Sequence, residues 1–184
     1  MLECSPRELF PVDGVRGTKV LLLPFAQAHI TDRYLGWLNN PQVVRFSNQR
    51  FRNHDMASSL VYLASFEGTD NIFLLVRRAD TGAAIGTLTA YIKRHHETAD
   101  VGVMIGDTKV WGQGFGQDSW DTILNWLILS AKLRKVTAGT LACNHGMVAV
   151  MKRSGMYCEA TRRAQEIVEG QAVDVVYYAR FHAA

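Results

Sequence analysis

The sequence predicts an α+β protein built on a mixed, mostly antiparallel sheet flanked by helices, and three observations carry that prediction. Strand-like and helix-like segments alternate in the order β-α-α-β-β-β-α-β-α-β-β, which is not the strict alternation of a parallel α/β sheet. Three successive strand patterns in the middle of the chain read as a meander. A length of 184 residues with 48% hydrophobic content supports one substantial core and leaves no room for a second domain of comparable size.

The elements follow in order. Residues 1–18 hold Pro6, Pro11, Gly14 and Gly17 without periodicity and are expected to form a loose tail or an irregular arm, so that one domain spans 19–184. Lys19 to Pro24 is a short branched-apolar strand stopped by proline. Thr31 or Asp32 then caps a helix running toward Asn40-Pro41. Met56, Leu60, Leu63 and Phe66 recur at helical spacing within 55–67, and Gly68 ends that helix. Residues 71–78, 83–94 and 98–106 are the meander, broken by Asp80-Thr-Gly82 and by His95-His-Glu97. The longest helix is predicted over 117–131, with Trp120, Ile123, Leu124, Leu127 and Ile128 as its apolar stripe. A strand at 135–142, a helix at 144–153, and strands near 156–161 and 173–181 complete the chain.

Composition narrows the function classes. The net charge of +3 arises from 20 basic and 17 acidic residues mixed along the chain, so no nucleic-acid footprint is expected. Trp120 and Trp126 fall among apolar helix neighbours and read as core, not as a base-stacking platform. Three cysteines, Cys4, Cys143 and Cys158, cannot all pair within one chain and lack zinc-site spacing. They are expected to be reduced thiols of a cytoplasmic protein without a metal. The longest early apolar run, Val20 to Ala26, is short, is broken by Pro24 and follows no basic leader, so neither secretion nor a membrane partner is expected.

The most informative stretch is Gly106-Asp-Thr-Lys-Val-Trp-Gly-Gln-Gly-Phe-Gly116, between a strand pattern and the longest helix. Gly112, Gly114 and Gly116 leave main-chain N–H groups unshielded ahead of a helix N-terminus whose dipole favours anions, a cradle suited to a pyrophosphate. A P-loop is excluded because Gln117 and Asp118 follow Gly116 where Lys and Ser/Thr belong. A Rossmann fingerprint is excluded because the run lies late in the chain and lacks the third glycine spacing. A different class of nucleotide-containing ligand remains.

Val110-Trp-Gly-Gln-Gly-Phe-Gly116 resembles the coenzyme A pyrophosphate loop of the GNAT superfamily of N-acetyltransferases. Asp100-Val-Gly-Val-Met-Ile105 resembles the splayed strand before that loop, and Asn144 with Gly155-Met156 resembles the later Asn, helix and glycine segment. The run Tyr34 to Arg45 resembles the first helix and turn of the branch containing ribosomal-protein alanine acetyltransferases and many amino-sugar acetyltransferases. The likeness spans about 19–181. It implies a GNAT-like fold and acetyl-CoA as cosubstrate. The backbone of Trp111, Gly112, Gln113, Gly114, Phe115 and Gly116 would hold the pyrophosphate, with the strand edge at Met104 and Ile105 and the side chain of Asn144 meeting pantetheine. The family often carries Arg or Gln where this chain has Trp111, so the expected role there belongs to the backbone.

Direct acetylation of an amine needs a base for the amine and stabilisation of the oxyanion, with no covalent enzyme intermediate. Asp100 matches an acidic residue of the relevant branch and is the expected base, with Glu97, His95 and His96 as rivals at the adjacent turn. The superfamily's acid, a Tyr or Ser on the helix starting near Asn144, is replaced here by Met147 and Met151, which donate no proton. Tyr157 is the expected substitute, with Ser154, Cys143 and water as alternatives. Cys143 with His145 two positions away is not read as a nucleophilic pair, since no third orienting group is present.

The acceptor expected is a primary amine, either a protein N-terminus such as alanine or the amino group of a nucleotide-linked sugar whose phosphates would meet Arg45, Arg50 and Arg52. These arginines also read as a solvated face. A non-catalytic acyl-CoA-binding module and an interaction domain whose glycine turn binds nothing are the readings from other classes. The strand at 173–181 is compatible with a homodimer.

Overall fold

The computed structural model describes residues 5–182. Its elements in chain order are α1 (Pro6–Leu9), β1 (Val15–Arg16), β2 (Val20–Pro24), α2 (Asp32–Leu38), α3 (Pro41–Val44), α4 (Met56–Ala64), β3 (Ile72–Arg78), β4 (Ala84–Lys93), β5 (Thr98–Ile105), α5 (Phe115–Asn125), β6 (Lys135–Leu141), α6 (His145–Arg153), β7 (Tyr157–Val168) and β8 (Gln171–Phe181). One eight-stranded sheet has the order β1-β2-β3-β4-β5-β6-β8-β7. All neighbours are antiparallel except β5 and β6. The α+β architecture predicted from the sequence is therefore the one observed.

Two apolar layers hold the sheet. On one face, Trp120, Ile123, Leu124 and Leu127 of the long helical segment pack with Met151 of α6 against Leu22, Leu74, Leu88, Val101 and Val136. On the other, Tyr34 and Trp37 of α2 pack with Phe25, Phe66, Phe73 and Leu75, and Leu60 and Leu63 of α4 close the layer. The starts of α2, α4 and α6 are satisfied locally: Thr31 accepts from the Tyr34 N–H, Asp55 and Ser58 cap reciprocally, and Asn144 accepts from the Met147 N–H.

Several boundaries differ from the expected ones for identifiable reasons. Residues 5–18 form a pinned arm: β1 pairs with β2, and the Phe10 ring stands edge-on to Trp126 at 4.8 Å. The long helix begins at Phe115, not Gln117, and ends in a π-helical turn over Trp126–Ser130, where the Ala131 N–H donates to the Trp126 carbonyl. Strand β7 continues to Val168 because β8 pairs with it through two irregularities; its polar run Thr161 to Glu166 hides that strand from any periodicity test. Strand β8 lies between β6 and β7, so the strand at 173–181, read as compatible with a homodimer, is not an open edge; the edge at that end of the sheet is β7. Among the described residues no helix is long and apolar enough to cross a membrane, and no group of three or more His, Cys, Asp or Glu is placed to hold a metal. Cys143 and Cys158 are free; Cys4 lies outside the described residues.

Candidate active site

The single parallel pair creates the site. Strands β5 and β6 pair only from Thr98↔Lys135 to Asp100↔Thr137. Beyond Asp100 they diverge, and a cleft of about 1280 Å³ opens between them, lined by residues 100–105, by the glycine loop, by Gly139 to Leu141, and by Asn144 and Met147. A strand edge without a partner strand is a row of backbone donors and acceptors.

Which backbone groups face the opening follows from parity. The Gly106 N–H donates to the Ile85 carbonyl (2.9 Å), whereas the Ile92 N–H turns away from β5 to the Asn71 side chain (2.8 Å). With Ile92 opposite Ala99 and Gly86 opposite Ile105, Gly102 and Met104 direct their N–H and C=O groups to β4. Val101, Val103 and Ile105 direct theirs into the opening. The expected backbone pair Met104 and Ile105 is thus corrected to Val103 and Ile105, and Met104 contributes its side chain against the Trp37 layer. The Ile105 carbonyl already accepts the Trp111 indole N–H at 2.8 Å, a side-chain role for Trp111 where only a backbone role was expected.

The loop after β5 has a backbone geometry suited to cradling an anion. Gly112 and Gly114 hold φ of 74° and 84°, a left-handed backbone that a side chain would strain. Gly116 lies in the first turn of α5 and needs no such freedom, in contrast to the expectation for all three glycines. The N–H groups of Trp111 and Gln113 are taken by Thr108 and Val110, which removes two of the expected donors. The N–H groups of Gly112, Gly114, Phe115, Gly116 and Gln117 have no partner among the described residues, and the first intrahelical bond runs from Asp118 to Gly114. Five outward donors at the start of an eleven-residue helix fit a diphosphate.

Two side chains brace this cradle from behind. The Asp118 carboxylate accepts the backbone N–H groups of Thr18 (3.1 Å), Lys19 (2.7 Å) and Val20 (3.0 Å), fastening the start of β2 to α5. Lys19 Nζ in turn donates to the Gln113 carbonyl at 3.0 Å and lies 5.6 Å from the centre of the Phe115 ring. Because the Gln113 C=O and the Gly114 N–H belong to one trans peptide plane and point oppositely, a cation holding the carbonyl outward turns that N–H inward.

Asp100 stands at the vertex of the cleft, where its carboxylate accepts the Thr137 hydroxyl at 2.7 Å. The side chain opens to the cleft, yet desolvation by the surrounding protein is the larger influence and raises its pKa above the usual 3.8. The Thr137 hydrogen bond and the Lys93 charge oppose that rise. The wall opposite is the segment Gln42 to Asn48, set in place by Trp37, whose ring fills the space beside Gly106: a Cβ there would lie 2.2 Å from it.

The remaining predicted residues are not all brought together. Asn144 lines the cleft and caps α6, and its amide donates to Thr140 at 3.1 Å. Met147 also lines the cleft, and Met151 is fully buried. Tyr157 is not at the cleft. It starts β7, three strand spacings or about 14 Å from β5, and stacks on Phe181 at 5.9 Å. Ser154 is buried, donating to Val150 and accepting from Gln117. Glu97, His95 and His96 lie at the closed end of the β5–β6 pair.

Arg45 and Arg50 pair with Glu169 (3.0 Å) and Glu166 (3.8 Å) of the β7–β8 hairpin, so they tie that hairpin to the segment after α3 and do not present a free pair of cations to a phosphate. Sequence reasoning missed other cleft residues besides Val103, among them two on the β7–β8 pair. Tyr177 and Glu166 become visible only once β7 and β8 are paired.

A family model described as acetyltransferase (GNAT) domain matches residues 19–157. No curated protein sequence matches the chain. Among solved structures, a GNAT-family acetyltransferase from Bacillus anthracis is 15% identical with a TM-score of 0.77, covering 91% of this chain and 98% of its own. The ribosomal L7/L12 alpha-N-protein acetyltransferase RimL, in complex with coenzyme A, is 18% identical with a TM-score of 0.76 over 94% of this chain and 97% of that one. A mutant of spermidine N-acetyltransferase SpeG from Vibrio cholerae is 17% identical with a TM-score of 0.73 over 90% and 95%. Identities this low establish a shared fold, and the acceptors those names carry belong to those proteins.

Proposed function

Because the chain belongs to the acetyltransferase (GNAT) domain family, we propose that it transfers an acetyl group from acetyl-CoA to the primary amine of a protein N-terminus, alanine or a similar residue, by direct attack in a ternary complex. One observation carries this reading: the five unpaired N–H groups of 112–117, the open edge at Val103 and Ile105, and the Asp100 carboxylate line a single cleft.

The cradle residues would bind the diphosphate, and Val103 with the Ile105 N–H would offer ladder partners to the amide-bearing arm, as an added strand does. Acetyl-CoA would supply the activated acyl group. An amine arriving as ammonium must lose a proton to become a nucleophile, and Asp100, at the vertex of the cleft, would take it directly or through water. A carboxylate with a raised pKa is a stronger base than an ordinary one.

The peptide acceptor is favoured over a nucleotide-linked amino sugar because Arg45 and Arg50 are already paired with carboxylates. A cytoplasmic setting goes with this reading, supported by the free thiols of Cys143 and Cys158. The catalytic unit is taken as 19–184, with the preceding residues as an arm laid against it. The test is turnover of acetyl-CoA with three acceptors: an alanine-starting peptide, a nucleotide-linked amino sugar and a polyamine. Preference for the peptide in kcat/KM is expected. Preference for the sugar would reassign the acceptor, and binding of acetyl-CoA with no turnover on any amine would make the protein a non-catalytic acyl-CoA module.

A further inference from the structure

We propose that Tyr177 is the catalytic acid of the transfer, the hydroxyl that protonates the departing thiolate; this rests on the acetyl-transfer reading above. Tyr177 is the cross-strand partner of Gly139, so its side chain stands on the face that carries Thr137 and Asp100. The missing side chain at 139 is what lets the ring cross β6: a Cβ there would lie 2.9 Å from Cε1 and 3.1 Å from Cδ1 of Tyr177. The ring therefore reaches from β8 over β6 toward the opening, and it lines the cleft. The Arg162 guanidinium, 5.0 Å from the ring centre, packs over it and limits its movement.

The level at which Tyr177 reaches the opening matters. Gly139 is two residues beyond Thr137, about 7 Å along the strand from the Asp100 row. Across the opening at the same level stands Gly102 of β5, where an added Cβ would meet only the Thr89 hydroxyl at 3.3 Å. Neither Gly102 nor Gly139 projects a side chain at this level of the opening, which has a carboxylate at its closed end and the Tyr177 ring laid over Gly139 on its far wall.

Other hydroxyl groups near the cleft have partners. Thr137 donates its proton to Asp100, whereas Thr140 and Ser47 accept from the Asn144 amide and the Gln49 N–H and are aliphatic alcohols, much weaker acids than a phenol. The Tyr177 hydroxyl has no partner among the described residues, and α6 presents Met147 to the cleft in place of a proton donor.

The step balances as follows. The neutral amine's lone pair forms the C–N bond at the thioester carbonyl carbon, and the amine proton passes to Asp100. The C–S bond then breaks with its electron pair on sulfur, and the Tyr177 O–H gives sulfur its proton. The phenolate is restored by a proton relayed from Asp100 or taken from solvent, so that amine and thioester become amide and thiol with no other reactant.

The test is Tyr177→Phe, which keeps the ring over Gly139 and under Arg162 and removes only the hydroxyl. Acetyl-CoA Kd by calorimetry and acceptor KM are expected to stay within about twofold, kcat to fall at least tenfold, in line with the roughly 10²- to 10⁴-fold worth of general acid–base groups. Gly139→Ala, which displaces the ring while leaving the hydroxyl, is expected to lower kcat in the same way. A Tyr177→Phe enzyme with wild-type kcat, or one that changes KM alone, overturns the role of Tyr177. A wild type that binds no acetyl-CoA instead overturns the acetyl-transfer reading itself.

Discussion

Replacing Asp118 by alanine is expected to loosen the joint between β2 and the anion cradle, and the cost follows from three hydrogen bonds. The carboxylate accepts the N–H groups of Thr18, Lys19 and Val20, and it sits so close to Gly17 that a Cβ there would lie 2.5 Å from Asp118 Oδ2. A charge-assisted bond contributes about 1.5–3 kcal/mol. Thr18 and Lys19 are exposed, so water replaces much of what they lose, but Val20 is fully buried and its N–H is rewetted only if β2 moves. One full and two partial losses come to about 3 kcal/mol, which lowers the unfolding midpoint by roughly 6–12 °C for a chain of this size. Asp118→Asn keeps one acceptor oxygen and should lose about half as much. Thermal and urea unfolding followed by circular dichroism measures both. An Asp118→Ala protein within about 0.5 kcal/mol of wild type would refute the reasoning, because β2 would then be held without the clamp.

Asp100→Asn should lower kcat by at least about 10²-fold, and the wild-type acid limb should lie above the ordinary carboxylate range, since burial raises this pKa. The folded state holds the Asp100 proton more tightly than the unfolded chain, so this group costs stability as pH rises from 3.8 through the raised folded value. Asp100→Asn should therefore be more stable than wild type at pH 7, with the gain vanishing below 3.8; an equal difference at both pH values would contradict that sign. Lys19→Met removes the cation that holds the Gln113 carbonyl and should weaken acetyl-CoA binding about fivefold, a loss near 1 kcal/mol, in a calorimetric titration; unchanged affinity would leave Lys19 without a part in the cradle. Arg50→Ala frees the hairpin carbonyl of Ile167 and the Glu166 carboxylate, and it should alter acceptor KM while leaving acetyl-CoA Kd within twofold; the reverse pattern would place the bridge on the wrong side of the sheet.

Local pattern made much of this legible. The apolar stripe of the long helix, the meander, the caps at Thr31 and Asn144 and the glycine loop all declare themselves within ten or fifteen residues, and each is where the sequence put it. What stayed hidden depends on contacts far apart in sequence. Asp118 meets residues 98 to 100 positions earlier. Tyr177 gains its place from the absence of a side chain at Gly139, and Tyr157 loses its expected place because two strands, β8 and β6, separate it from β5. The exchange of Met104 for Val103 is a matter of strand parity, which one residue reverses and which only the β4 register fixes. The arginines at 45 and 50 read as available cations until the hairpin acids are folded against them.

The central claim is that the loop at 112–117 and the open edge of β5 are an acetyl-CoA site. Calorimetric titration of acetyl-CoA into wild type, Gly114→Val and Gly68→Val tests it most directly. Both glycines hold a positive φ, 84° and 66°, but Gly68 follows α4 away from the cleft, so the pair separates backbone strain from loss of the cradle. The account predicts one-site binding by wild type, retained by folded Gly68→Val and weakened at least tenfold in Gly114→Val. No binding by folded wild type, or equal binding by Gly114→Val, would contradict it.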